Sequence, residues 1–272
     1  MIRLVSCVIY LRMAINIQIC CGLGNLAPEI TAFQRHAVQA TLDKVFGVPS
    51  QSEWHLRQES AITTSSMDGE QLQLPQQQTV YGELGTGALT KILDAVGVYD
   101  GDCFLDIGSG DGMLVMAAAL LWPKHLKQSV GLEILPSLYE RSLAYKSKLD
   151  LMLQNDLSEN NTFCPIEFYL GDIYNLNSAK YSANDQRLQK IQDILDTTTI
   201  ALCFATTWSS GMPKRKLKNL SEALGASMTA KSRVVIIDGT LDSEDGFEYK
   251  GELRIFCPDT APYSTAHLYV KK

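Results

Sequence analysis

The chain is predicted to fold as an α/β protein: a doubly wound, mostly parallel sheet of seven strands, closed by an antiparallel C-terminal hairpin and preceded by a small helical lobe. Three observations carry this. From about residue 79 onward, short apolar runs alternate with helical patterns, as parallel strands joined by right-handed crossovers do. One run, CFLDI from Cys103 to Ile107, breaks into three glycines at every second position, Gly108, Gly110 and Gly112, and then opens the helical stretch MLVMAAALL. Glycine is needed where a backbone takes a positive φ or lies against a ligand with no Cβ in the way. Two late runs, GELRIFC and AHLYVKK, have no helix between them and so predict the hairpin.

In order along the chain, residues 1–22 are apolar but interrupted by Arg3, Arg12, Asn16 and Gln18. No uninterrupted stretch of about 20 apolar residues exists there, so no transmembrane span is predicted. Arg3 ahead of Leu4–Leu11 is compatible with a targeting segment, and a buried strand is the alternative. Ile30, Phe33, Ala37, Ala40, Leu42 and Val45 recur at roughly helical spacing, placing an amphipathic helix in an N-terminal segment and lobe over 1–60. The Ser-, Thr- and Gln-rich stretch 61–78 reads as a linker, and 79–272 as the α/β domain. Within that domain, Leu89, Ile92, Leu93 and Val96 line a short helix, followed by the glycine strand and its helix. QSVGLEI is the second strand, ending at Glu133, with a helix after Pro136; IEFYLGD is the third, ending at Asp172. TIALCFATTW is the fourth strand, Lys214–Met228 a helix, and RVVIIDG the fifth strand.

Composition excludes several classes. With 272 residues, 46% hydrophobic and 20% charged, the chain is an ordinary globular protein. A net charge of −6 argues against nucleic-acid binding by the whole fold, because phosphate contacts need concentrated Lys and Arg. The one basic run, PKRKLK with Lys214, Arg215, Lys216 and Lys218, is either a solvated helix face, a weak contact with nucleic acid or an acidic histone surface, or an import signal. Seven scattered cysteines without a CxxC pair fit buried free thiols. The four histidines, His36, His55, His125 and His267, show no metal-ligand spacing, so no metal is expected.

Acids stand at the ends of the first three strands: Asp106, Glu133 and Asp172. One such acid does no more than cap the following turn. Three together suit a nucleoside, with Glu133 accepting both ribose hydroxyls and Asp172 meeting an adenine amino group. A dinucleotide would place its pyrophosphate at the helix start beside Asp111 and Asp106, where two carboxylates repel it and no Lys or Arg compensates nearby. S-adenosylmethionine carries a sulfonium and an ammonium instead, and acids favour both. That cofactor is therefore the expectation.

GSGDG with its downstream acids resembles class I, Rossmann-like methyltransferases. The stretch VYGELGTGALTKIL, Val80 to Leu93, with Tyr81 twenty-five residues before Asp106, resembles more specifically the disruptor of telomeric silencing family, histone lysine methyltransferases without a SET domain. GLE at Glu133, GDI at Ile173 and FATTW from Phe204 to Trp208 add to it, over about residues 79–272. The resemblance implies that Tyr81 and Glu83 close over the methionine part of S-adenosylmethionine, which Asp106, Gly108, Ser109 and Gly110 cradle. It implies that Glu133 holds the ribose and that Asp172 and Ile173 meet the adenine, with Thr206 near the departing methyl. It further implies a histone or nucleosome partner, chromatin regulation and a nuclear location; the apolar N-terminus suits an organelle instead.

The chain departs from the family at Thr206 and Thr207, where an asparagine pair is usual, and lacks its basic tail. The tryptophan of the lysine channel has no clear counterpart, Tyr263 being the nearest aromatic. A lysine nucleophile must lose its proton, at a cost of about 4.6 kcal/mol at pH 7 in water, and burial among aromatic side chains lowers that cost. Tyr81, Trp208 and Tyr263 are the channel candidates, with Tyr81, Thr206 and Trp208 as catalytic positions. The rival readings are a methyltransferase of a non-histone protein and a catalytically silent cofactor-binding module.

Overall fold

The computed structural model describes residues 25–47, 84–155, 163–174, 186–205, 216–257 and 261–272, with main chain only at 155, 257, 261 and 262. In chain order the elements are α1 (Ala32–Phe46), α2 (Thr86–Val96), β1 (Asp102–Ile107), α3 (Met113–Leu121), β2 (Leu126–Glu133) and α4 (Pro136–Asn155). They continue as β3 (Ile166–Leu170), α5 (Gln186–Thr197), β4 (Ile200–Phe204), α6 (Lys218–Ser227), β5 (Arg233–Ile237), β6 (Phe247–Cys257) and β7 (Ala261–Lys271). The sheet has seven strands in the order β3-β2-β1-β4-β5-β7-β6. β1 to β5 run parallel, while β7 lies antiparallel between β5 and β6. The predicted α/β class, with its parallel body and antiparallel hairpin, is the class observed.

This order places a switch point between β1 and β4, where the chain stops building outward on one side and begins on the other. A crevice opens at the carboxyl ends of the strands at such a point. Both sheet faces are covered, because successive side chains alternate between them. On one face Phe104, Ile200, Leu202, Val235 and Ile237 join one hydrophobic cluster. On the other, Leu105, Ile107, Ala201, Cys203, Val234 and Ile236 join a second. α3 runs through the first cluster with Leu114 to Ala119 all buried, as a helix apolar on all sides must. α1 starts on a capping box, Thr31 accepting from the Gln34 N–H and Gln34 accepting from the Thr31 N–H, and its Leu42 and Val45 enter that same cluster.

At the amino ends of the strands, opposite the crevice, a buried ion pair ties β5 to β1. Arg233 Nη2 stands 2.5 Å from Asp102 Oδ1, and Nη1 donates to the Gly97 carbonyl at 2.6 Å. The Tyr99 N–H and the Thr199 hydroxyl supply Asp102 with two further donors.

Several elements differ from their expected bounds. β3 stops at Leu170, so Asp172 lies two residues beyond the strand rather than at its tip. α5 was not anticipated between the third and fourth strands. Its buried residues are Ile191, Ile194 and Leu195, a narrow stripe that its Gln and Asp content conceals. α6 starts at Lys218, four residues later than expected. The hairpin strands are longer than their apolar runs, since cross-strand pairing from Phe247 to Lys271 carries them through polar residues.

Candidate active site

The turn from β1 to α3 is built by backbone. Gly108, Gly110 and Gly112 have φ of 79°, 55° and 86°, the left-handed region that side chains oppose. Gly108 and Ser109 donate their N–H groups to the Leu132 carbonyl at 2.8 and 3.1 Å, stitching the turn to β2. Gly112 has a second reason to be glycine, because a Cβ there would lie 2.4 Å from Phe168 Cζ. The Ser109 hydroxyl is buried against Gly131, beneath the turn, with no hydrogen-bond partner among the described residues.

Two carboxylates flank this turn. Glu133, at the tip of β2, accepts from the Gly110 N–H at 2.7 Å through Oε2, and from the Ile134 and Leu135 N–H groups at 2.9 Å through Oε1. A carboxylate offers roughly four acceptor positions, so about one is left for a ligand hydroxyl. The same carboxylate, expected from the sequence to grip a ribose, thus also closes its own turn. Burial pushes the Glu133 carboxyl up, and the three N–H donors pull it back. Asp106 is 3% exposed, and burial, reinforced by the Glu133 charge, pushes its carboxyl up to about 7. Among the described residues no Lys or Arg forms an ion pair with either acid.

Asp111 behaves differently. Its Oδ2 lies 2.6 Å from Arg141 Nη2 on α4, and its side chain is 1% exposed. The expectation of an uncompensated Asp111 is therefore corrected: α4 packs back over the turn and brings in a cation thirty residues away. No signal in the sequence singles out Arg141 from the other bases of that helix. Among the described residues at the turn, Asp106 and Glu133 are then the acids without a cation of their own.

The third acid is spent locally, since Asp172 Oδ1 accepts from the Tyr174 N–H at 2.9 Å. The Ile173 side chain is buried in the second cluster with Leu105 and Leu132. Tyr81, Glu83, Thr206 and Trp208 lie outside the described residues, as do Lys214 and Arg215. Tyr263 is exposed, and Arg254 lies over its ring at 4.0 Å from the centroid, filling the face that a channel would offer to a substrate amine. Lys216 pairs with Asp242 at 2.5 Å, and Lys218 pairs with Glu222 at 3.6 Å, so each of these bases meets an acid of its own.

The donor set fits the cofactor expected from the sequence. Two buried carboxylates at adjacent strand tips, neither in an ion pair among the described residues, suit hydroxyl and ammonium groups and oppose phosphates. The strand order and the glycine turn are those of an open, doubly wound α/β sheet, which takes its ligand at the switch point. Residues 60–155 match the family model described as "Histone methylation protein DOT1", a segment that runs through β1, the turn, β2 and α4. No curated protein matches the chain.

Among solved structures, MtNAS in complex with MTA and tNA is 15% identical, covers 89% of this chain and 78% of its own, and has a TM-score of 0.42. A SAM-dependent methyltransferase from Aquifex aeolicus is 13% identical, with 68% and 89% covered and a TM-score of 0.44. The rRNA methyltransferase aviRa from Streptomyces viridochromogenes is 13% identical, with 71% and 87% covered and a TM-score of 0.48.

Proposed function

We propose that this protein is a class I S-adenosylmethionine-dependent methyltransferase that acts on a lysine side chain of a histone, within or outside the nucleosome, and works in the nucleus. The observation that carries the reading is the Gly110–Glu133 latch beside Asp106, which has no ion pair among the described residues, lying inside the segment matched to the histone methylation family. S-adenosylmethionine, when bound, supplies a methyl group already activated on a sulfonium, so the protein's work is chiefly positioning. In this reading Glu133 accepts a ribose hydroxyl, and Asp106 with the Gly108–Gly110 backbone holds the methionine end. Asp172 and the Ile173 main chain border the adenine. Tyr81 and Glu83 close over the cofactor, with Ser109 supporting the turn from below. Thr206 stands near the departing methyl, and Trp208 and Tyr81 wall an apolar channel that keeps the target amine neutral.

The ion pairs at Lys216 and Lys218 favour recognition of the protein surface over DNA contact through this run. Incubation with labelled methyl donor, recombinant nucleosomes, free histones and cell extract, followed by mass spectrometry of the labelled species, tests the reading. Methyl-lysine on a histone supports it, and label on another protein alone moves the substrate elsewhere. Glu133→Ala is expected to weaken cofactor binding by about 2 kcal/mol in calorimetry, since it removes charged hydrogen bonds; unchanged affinity removes Glu133 from the ribose role.

A further inference from the structure

The glycine turn is soft by composition: three of its five residues are glycine, each free to leave the left-handed region once untied. Backbone bonds tie its first limb to β2 through the Leu132 carbonyl, and its middle to Glu133 through the Gly110 N–H. The second limb, at Asp111, reaches across to α4 and meets Arg141 Nη2 at 2.6 Å. Asp111 is buried while the Arg141 side chain is 29% exposed, so the pair is anchored at the turn and hydrated at the helix. The next residue on α4, Ser142, packs against Gly112, where an added Cβ would lie 3.2 Å from Ser142 Cβ. The helix thus touches the turn at two neighbouring points.

We propose that Arg141 is a positioning residue for the cofactor: through Asp111 it holds the second limb of the glycine turn in the conformation that presents the Gly108–Gly110 backbone and the Glu133 latch to the ligand. This rests on the methyltransferase reading of the same crevice. Preorganisation and charge make opposite demands, which separates them. If Arg141 acted on the ligand by charge, its removal would tighten the cationic S-adenosylmethionine and leave the uncharged-sulfur product, S-adenosylhomocysteine, less affected. If it acts by holding the turn, both ligands lose affinity together, because both use the same backbone.

The test is calorimetric titration of the full chain with each ligand, for wild type, Arg141→Met, Arg141→Lys, Asp111→Asn and the Asp111→Asn/Arg141→Met double variant, with melting curves of each unliganded protein. Arg141→Met is expected to lose about tenfold in affinity for both ligands at an unchanged ratio. Arg141→Lys recovers part of the loss, and the double variant loses no more than the worse single variant. Unaltered affinities in Arg141→Met overturn the proposal, and so does a shifted ratio between the two ligands. Should Arg141→Met melt below the assay temperature, Arg141→Lys is read in its place: a common loss for both ligands supports the proposal, and wild-type affinity overturns it. Failure of the wild type to bind either ligand is a different result, and it removes the methyltransferase reading itself.

Discussion

Asp106 joins stability to ligand charge at a single residue. Its carboxyl is raised to about 7 from the ordinary 3.8 by burial, with Glu133 adding to the effect. A folded-state pKa above the unfolded one means that the folded chain binds more protons between those two values. The stability of the unliganded protein therefore falls as pH climbs through that window. Asp106→Asn removes the penalty and is expected to raise unliganded stability at pH 8 by on the order of 1–4 kcal/mol, read from urea unfolding at pH 5 and pH 8. At pH 5, inside that window, the gain is smaller, and it vanishes only below the ordinary carboxyl value of 3.8. A cationic ligand favours the ionised form, so S-adenosylmethionine affinity rises from pH 6 to pH 8 in wild type and stays flat in Asp106→Asn. A flat wild-type profile would take the charge role from Asp106.

At the level of elements, the strand, turn and helix around Gly108–Gly112 depend on neighbours that a local reading does not name. Phe168 of β3 occupies the space over Gly112, so Gly112→Ala meets both a left-handed φ of 86° and a contact of 2.4 Å. A loss of about 2–4 kcal/mol is expected in denaturant unfolding. Adding Phe168→Leu to Gly112→Ala returns part of it, because only the steric share is relieved. Full additivity of the two substitutions would place the cost in the backbone alone. The turn was legible in the sequence because glycine spacing is local chemistry. Its partners were not: Phe168 lies fifty-six residues on, and Arg141 twenty-nine, brought close only by the packing of β3 and α4.

Across the whole molecule, the two ends of the parallel strands carry different duties. The carboxyl ends hold the crevice, while the amino ends hold the Arg233–Asp102 pair, with further hydrogen bonds to Gly97, Tyr99 and Thr199. Arg233→Met leaves Asp102 as a buried, unpaired charge and is expected to cost about 3–5 kcal/mol in denaturant unfolding. Its cofactor affinity, measured below the unfolding transition, stays at the wild-type value, since the crevice lies at the far end of the strands. A matching loss of affinity would couple the two ends.

Alternation of apolar runs with helical patterns was enough to determine the parallel body, the hairpin and the place of the glycine turn, because period and backbone freedom are written residue by residue. What tertiary structure decided was which charges stand alone. Asp111 and Lys216 read identically to unpaired charges along the chain, yet folding hands one to Arg141 and the other to Asp242. It leaves Asp106 buried without a cation among the described residues and gives three of Glu133's acceptor positions to the backbone. Electrostatic partnership depends on separation in space, and separation along the sequence does not report it.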